Sequence, residues 1–245
     1  MLRTGDQYRD SIRDDRQIWM NGERIKDVTT HPAFKPIVDV PARIYDMAHE
    51  ARYAETMSYK DEAIDEANCI GYKLPHTQAD WHAKRAAVDA VMDDIGGVVI
   101  RMGDETAGEM WSLYDGRDVL DEVDPQYRGN IENHIQHVLT SDTFHVSANT
   151  DPKGDRSKRP QDQDPDMLLH MVKETDAGII VRGAKYETAA AYSNQAFVKP
   201  TIANWGDAEL SDYALGFICP MNADGLKHIC RTGRGLSPGQ PLRRG

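Results

Sequence analysis

The spacing of apolar residues changes character at about residue 142, and this change constrains the fold more than any single motif. Before it, residues 125–140 carry Ile131, Ile135, Val138 and Leu139 at helical spacing. After it, short β-type runs alternate with turns, at 143–147, 168–173, 179–182, 196–198, 213–219 and 226–230. The pattern predicts an α+β protein in which helical residues 1–141 precede β residues 142–231.

Local signals predict several elements of the helical part. Thr4 is the expected N-cap of a short helix that ends near Ile12. Residues 17–25 should form a β-hairpin, because Asn21-Gly22 suits the two positive-φ positions of a type I′ turn. Further helices are expected at 41–52, 77–96 and 106–114.

The composition is that of an ordinary globular protein, and the net charge limits the kinds of binding partner to expect. Apolar residues make up 40% of the chain, charged residues 28%, and the net charge is −11. So acidic a chain is not expected to bind nucleic acid, although residues 153–159 form a local basic run. We find no signal peptide and no run of about 18 apolar residues, so we expect a cytoplasmic protein without membrane contact.

The three cysteines, Cys69, Cys219 and Cys230, are widely spaced and contain no C-x-x-C pair. This spacing predicts neither a disulfide framework nor a zinc knuckle, which fits a reducing compartment. Residues 232–245 are basic and rich in glycine and proline. They could be a disordered tail or the out-of-frame end of an interrupted gene, and the shift from an acidic chain to a basic end favours the second.

The chemically most suggestive segment is the loop at 147–156, which precedes a predicted β-meander at 168–182. Its turn-forming and polar residues are Asn149, Thr150, Asp151, Pro152 and Gly154. Lys153 and Arg156 add positive charge among hydroxyl and amide donors. Such a loop would suit a phosphate-bearing cofactor, and it would equally suit a solvated surface.

Other polar clusters carry weaker signals. His134, His137 and His145 could be metal ligands, but a site needs convergent ligands and surface histidines on a helix are commoner. The group Arg101, Asp104 and Glu105 could line a substrate or lie in a solvated turn. We find no nucleophile elbow, H-E-x-x-H, P-loop or dinucleotide fingerprint. We therefore predict no metal site.

Several blocks along the chain resemble one flavoprotein family in the same order. They are M-L-R-T-G-D-Q-Y-R-D-S-I-R at the start, N-G-E-R-I-K-D-V-T-T-H-P-A-F at 21–34, T-D-P-K-G-D-R at 150–156, E-T-D-A-G-I-I-V-R-G-A-K at 174–185 and F-I-C-P-M-N-A-D-G at 217–225. The family includes the oxygenase component of 4-hydroxyphenylacetate 3-monooxygenase and 4-hydroxybutyryl-CoA dehydratase. The resemblance covers about residues 1–231.

The resemblance implies an acyl-CoA-dehydrogenase-like fold. Residues 1–141 would form an α-helical N-terminal domain with a small hairpin at 17–25, and residues 142–231 a flavin-binding β-barrel. Residues 232–245 would be irregular. The C-terminal helical bundle of the family is missing, because full members are much longer, so the chain is expected to be truncated.

The resemblance also implies FAD as cofactor, in the reduced form that a reductase supplies. The matching cofactor positions are Ser147, Ala148, Asn149, Thr150, Asp151, Pro152, Lys153, Gly154, Asp155, Arg156 and Thr188. The implied catalytic positions are Arg101, which would hold an anionic substrate oxygen, and Ser147, which stands where the hydroxylase has histidine. Glu105 stands at a tyrosine position. Val98 and Met102 replace two cysteines of the dehydratase, so a [4Fe–4S] cluster is not expected.

The implied function is that of an FAD-dependent aromatic monooxygenase in the catabolism of aromatic compounds. Two alternatives stay open: a 4-hydroxybutyryl-CoA dehydratase or vinylacetyl-CoA isomerase, and a remnant of the family without catalytic activity. The implied partners are a phenolic or acyl-CoA substrate and a flavin reductase. Family members form homo-oligomers through the bundle that this sequence lacks.

Overall fold

The structure is a computed structural model that describes residues 2–62, 64–97, 104–155, 157–200 and 208–231. These residues form two compact units. The first comes from Met1–Phe144 and Asn222–Gly245, and the second from His145–Met221. The predicted mixture of helices and strands is confirmed, and the α-helices of the described residues all lie in the first unit.

The α-helices begin and end largely where local signals predict. Their bounds are α1 Gly5–Ser11, α2 Lys35–Met47, α3 Ala54–Met57, α4 Gln78–Asp94, α5 Asp104–Asp115, α6 Arg117–Val123 and α7 Pro125–Ser141. Thr4 and Thr77 start α1 and α4 with capping boxes that use Gln7 and Asp80. Each box satisfies two backbone N–H groups that would otherwise lack a partner.

The prediction for α2 was wrong at both ends. This helix begins at Lys35, six positions before Pro41, and ends at Met47 rather than near Arg52. Pro36 fits the first turn, where its missing N–H costs nothing. Pro41 lies inside the helix, where proline is normally unfavourable, but it is buried beside Val38. Burial of this face of α2 therefore outweighs the preference of proline to lie outside helix interiors.

The strands of the described residues are β1 Gln17–Met20, β2 Glu23–Ile25, β3 Ser58–Asp61, β4 Glu66–Cys69, β5 His145–Ala148, β6 His170–Thr175, β7 Gly178–Arg182, β8 Gln195–Val198, β9 Phe217–Pro220 and β10 Lys227–Cys230. The predicted hairpin β1–β2 is confirmed, with Asn21 at φ 53° and Gly22 at φ 84°. Residues 222–231, expected in the second domain, belong to the first unit because β10 pairs in parallel with β1.

Two hydrophobic clusters are formed by described residues of the first unit. Met47, Met57, Ile70, Ala87 and Val91 form one, in which α2, α3 and α4 meet. Tyr72, Ala107 and Val138 form the other, which joins α5 to α7. None of the described helices is both long and apolar enough to cross a lipid bilayer.

In the second unit, β5 lies parallel to β8, and β8 lies antiparallel to β9. The parallel pairing requires a crossover between β5 and β8, and this crossover contains the hairpin of β6 and β7. The closed barrel that the resemblance implies is not formed by the described strands, which divide into a three-stranded and a two-stranded sheet.

Candidate functional site

The candidate site begins where the buried strand β5 gives way to exposed chain. His145, Val146, Ser147 and Ala148 are all buried, and Ser147 has no exposed surface. Asn149 is half-buried, and Thr150 is exposed. These four buried strand residues fix the start of the loop, so residues 149–155 begin at a rigid position.

Two contacts hold this loop against residues 185–188. The backbone N–H of Tyr186 donates to the carbonyl oxygen of Thr150 at 2.8 Å. The ammonium of Lys185 pairs with the carboxylate of Asp151 and donates to the carbonyl oxygen of Lys199 at 2.9 Å. Thr188 follows Tyr186 by two residues, so the fold brings two separate predicted parts of the site together.

The ion pair between Lys185 and Asp151 is well shielded from solvent. The side chains of Lys185 and Asp151 are 11% and 14% exposed. Removing one partner of such a pair leaves a poorly solvated charge, which costs more than the pair itself contributes. The pair therefore fixes the course of the loop and cancels the negative charge of Asp151.

Gly154 and Gln163 shape the far end of the loop. Gly154 has φ 27°, and a Cβ at this position would lie 2.3 Å from Oε1 of Gln163. The same Oε1 accepts a hydrogen bond from the backbone N–H of Asp155 at 2.7 Å. Asp155 in turn accepts hydrogen bonds from the hydroxyl and the N–H of Ser157, and these bonds lower the pKa of its carboxyl. A side chain at position 154 would therefore displace the glutamine.

The charge balance of the loop suits an anion. Within the described residues, Lys153 is exposed and makes no hydrogen bond or ion pair, whereas Asp151 is neutralised by Lys185. The hydroxyl-bearing Thr150 and Thr188 are exposed close to the point where the loop meets residue 186. An uncompensated ammonium, hydroxyl donors and a glycine-containing backbone are the donor set that binds phosphate. These residues fit the diphosphate of a dinucleotide cofactor.

The predicted site residues differ in exposure. Ser147 and Ala148 are buried; Asn149, Asp151 and Pro152 are half-buried; Thr150, Lys153, Gly154, Asp155 and Thr188 are exposed. Arg101 and Arg156 lie outside the described residues, as do Val98 and Met102. Sequence reasoning missed Lys185 and Gln163. Lys185 ends the matched block at 174–185 and could have been found there, whereas Gln163 lies in a polar spacer without any signal.

Burial shifts the pKa values of several histidines and cysteines considered from the sequence. Burial lowers the pKa of His134 to about 4, with a smaller effect from His137, so His134 is a neutral imidazole. Burial raises the pKa values of Cys219 and Cys230, which keeps both as thiols. Among the described residues, no group of three or more histidine, cysteine or acidic side chains could hold a metal ion.

Together, these features describe a protein of helices and small sheets with a polar, partly basic loop after a buried strand. The chain belongs to the 4-hydroxyphenylacetate 3-hydroxylase family, because the family model described as "4-hydroxyphenylacetate 3-hydroxylase N terminal" matches residues 4–241.

Individual relatives support this assignment. The chain is 34% identical to the oxygenase component of 4-nitrophenol 2-monooxygenase from Rhodococcus, over 94% of this chain and 43% of the relative. It is 31% identical to 4-hydroxybutyryl-CoA dehydratase/vinylacetyl-CoA-Δ-isomerase from Clostridium aminobutyricum, over 92% of this chain and 46% of the relative. The chain thus spans less than half the length of these relatives.

A solved structure shares the fold. It is the oxygenase component of 4-hydroxyphenylacetate 3-monooxygenase complexed with FAD and 4-hydroxyphenylacetate. The TM-score is 0.83 at 29% sequence identity, and the match covers 94% of this chain and 47% of that chain.

Proposed function

We propose that this chain binds FAD and serves in the flavin-dependent hydroxylation of a phenol, as a cytoplasmic enzyme of aromatic catabolism. The observation that carries the proposal is the loop at 149–155, whose donors fit a diphosphate, in a chain of this family. The relative with the same fold is a complex with FAD and 4-hydroxyphenylacetate. A separate reductase would supply the reduced flavin, since related chains are named oxygenase components.

Each part of the loop has a role in this proposal. Residues Asn149 to Arg156 and Thr188 would hold FAD, and the buried Ser147 and Ala148, which the resemblance also implies as cofactor positions, would fix the start of the loop. Lys153 and the exposed hydroxyls would bind its phosphates, and the Lys185–Asp151 pair would keep the loop in position. When bound, reduced FAD would supply the oxygen-activating chemistry of the reaction.

The substrate positions are proposed from the resemblance. Arg101 would bind the anionic oxygen of the phenol, where a guanidinium offers a fixed pair of donors. Ser147 has no exposed surface, so its contribution at the histidine position of the hydroxylase would be to orient the end of β5. By the same resemblance, we propose that the second unit belongs to the middle domain of an acyl-CoA-dehydrogenase-like fold.

Titration with FAD and with reduced FAD tests the proposal, followed by flavin fluorescence and absorbance. The Lys153→Gln variant should bind FAD about five- to tenfold more weakly, because one charge-assisted hydrogen bond to phosphate is lost. Lys173→Gln is the matched control, since Lys173 is exposed on β6 outside the loop. Equal dissociation constants for the two variants would contradict the role given to the loop.

The same titration addresses the non-catalytic alternative. If the wild-type chain fails to bind either form of flavin at micromolar concentration, it is not an enzyme in this form. Measurement of 4-hydroxyphenylacetate hydroxylation with an added flavin reductase then tests the reaction itself. Sedimentation would give the oligomeric state, for which a homo-oligomer is the family expectation.

The dehydratase is a second candidate because the Clostridium relative is as similar as several monooxygenases, at 31% identity. In the resemblance, however, Val98 and Met102 replace two of its cysteines, and neither side chain can bind a cluster iron through thiolate. Iron and sulfide analysis of anaerobically purified protein decides between the two candidates. About four irons per chain, the content of one [4Fe–4S] cluster, would overturn the monooxygenase proposal.

A further inference from the structure

An exposed tyrosine lies on the segment that contacts the candidate loop. Tyr186 forms an isolated antiparallel bridge with Thr150, whose carbonyl oxygen accepts a hydrogen bond from the Tyr186 backbone N–H at 2.8 Å. Tyr186 is 53% exposed, although a tyrosine ring has a large apolar surface that burial would stabilise. The backbone therefore holds an exposed aromatic residue beside the loop. The resemblance does not imply this residue as a cofactor position.

Side-chain exposure alternates along the segment at 185–188. Lys185 and Glu187 are half-buried, whereas Tyr186 and Thr188 are exposed. Bridges at Ala184 and at Tyr186 indicate extended backbone, in which successive side chains point to opposite faces. Tyr186 and Thr188 therefore share one face of the segment, and Lys185, which pairs with the loop, lies on the other.

The bridge to the loop adds a second hydroxyl group to the face of Tyr186. Directly opposed residues of an antiparallel pair have side chains on the same side, with Cβ atoms roughly 4.5–5.5 Å apart. Thr150 is such a partner of Tyr186, and it is exposed as well. The face thus presents an aromatic ring with one threonine across the bridge and another, Thr188, two residues along the chain. The same loop carries the exposed Lys153.

The chemistry of a flavin dinucleotide matches this face. FAD has two flat aromatic ring systems, adenine and isoalloxazine, and a short sugar or ribityl chain joins each of them to the diphosphate. A diphosphate bound at Lys153 and the threonine hydroxyls would bring a ring within reach of residues beside the loop. Aromatic side chains stack on such rings through their flat faces, and this contact contributes to affinity without requiring a particular base.

On the basis of the function proposed above, we propose that the ring of Tyr186 stacks on an aromatic ring of bound FAD. The bridge to Thr150 fixes the backbone of Tyr186 against the loop that binds the diphosphate, so phosphate and ring are recognised by one rigid part of the second unit. Tyr186 then acts as a binding residue that holds the cofactor, and it takes no part in proton or oxygen transfer.

Two substitutions separate the contribution of the ring from that of the hydroxyl. Tyr186→Phe keeps the ring, whereas Tyr186→Leu removes it and keeps an apolar side chain. Fluorescence titration with FAD should give a dissociation constant about tenfold higher for Tyr186→Leu and within about twofold of the wild type for Tyr186→Phe. Tyr127→Leu is the matched control, because Tyr127 is a 42% exposed tyrosine on α7. Its dissociation constant should equal that of the wild type.

The outcomes distinguish this role from FAD binding itself. If the wild type binds FAD and Tyr186→Leu binds it equally well, the stacking role is overturned while the proposed cofactor stands. An equal loss in Tyr186→Phe and Tyr186→Leu would also overturn it, because the hydroxyl and not the ring would then matter. A wild type that does not bind FAD would overturn both the proposed cofactor and the stacking role.

Two further measurements identify the ring and remove the dependence on a variant. A weaker affinity of Tyr186→Leu for ADP would assign the contact to adenine, and a weaker affinity for FMN would assign it to isoalloxazine. Either result supports stacking, and a loss with neither fragment would contradict it. In the wild-type chain, the proton resonances of the Tyr186 ring should move upfield when FAD is added. Unchanged resonances at saturating FAD would overturn the proposal even if Tyr186→Leu failed to fold.

Discussion

The substitution Asp142→Asn should stabilise the protein, and the gain should depend on pH. Burial raises the pKa of the Asp142 carboxyl from 3.8 to about 6, while the N–H of Arg3 acts in the opposite direction. Because the folded state holds the proton more tightly than the unfolded state, ionisation destabilises the fold. The cost begins as pH rises above 3.8, grows up to about 6, and is complete above that.

The size of the effect on the free energy of unfolding follows from the rise of the pKa from 3.8 to about 6, because each tenfold change in the ionisation constant is worth about 1.4 kcal/mol. Ionisation of Asp142 should lower the free energy of unfolding by about 3 kcal/mol at about pH 8 and by about 1 kcal/mol at about pH 4.5. Asparagine removes the charge, accepts the Arg3 N–H through its amide oxygen, and tolerates the left-handed backbone at φ 47°. The increase in the free energy of unfolding of the variant over the wild type should therefore be about 2 kcal/mol larger at the higher pH than at the lower.

Urea unfolding followed by the helical circular dichroism band measures this gain, because the described α-helices lie in the unit that contains Asp142. Asp176→Asn is the control, since Asp176 is exposed in the turn between β6 and β7. The control should show no gain at either pH. A gain for Asp142→Asn that is equal at both pH values would refute the reasoning, because it would come from backbone or packing rather than from charge.

Substitutions at three further positions test the fold. Thr77→Ala removes one half of the capping box with Asp80 and should lower the unfolding free energy by about 1 kcal/mol, whereas Thr77→Ser should lower it less. Val91→Ala leaves a cavity at a residue that is 1% exposed and should cost about 2 kcal/mol in urea unfolding. Gly183→Ala should lower the free energy of unfolding by more than about 2 kcal/mol. Gly183 has φ 123°, and a Cβ at this position would lie 2.3 Å from the carbonyl oxygen of Leu168. Proteolysis of the second unit would report that loss, and unchanged cleavage would contradict it.

Features set by neighbours in the chain could be predicted from the sequence. The capping residues Thr4 and Thr77, the turn at Asn21 and the apolar stripe of α7 each act within a few positions, so their physical basis is visible in the sequence itself. The hairpin β3–β4 was not predicted, because its strands lack clear alternation of apolar and polar residues.

Features set by distant contacts could not be predicted in this way. The parallel pairing of β10 with β1 joins segments from opposite ends of the described chain, and no local signal marks it. Trp81, a large aromatic residue in the first turn of α4, is 61% exposed. In the candidate site, composition located the loop, but the Lys185–Asp151 pair spans 34 positions and emerged only from the structure. Single apolar residues on a surface are common, so Trp81 needs no partner to explain it.

In the candidate site, the identity of the cofactor and the identity of the reaction depend on different residues. The exposed donors of the loop, above all Lys153, fit phosphate, and a diphosphate is common to any reaction that FAD serves. Reaction class must instead depend on side chains that reach the reacting atoms. Ser147 has no exposed surface and cannot exchange a proton directly with a substrate in solvent contact. Under the proposed function, the chemistry that decides the reaction would fall on Arg101 and on groups that the loop does not supply. Flavin binding and hydroxylation therefore have to be measured as separate properties.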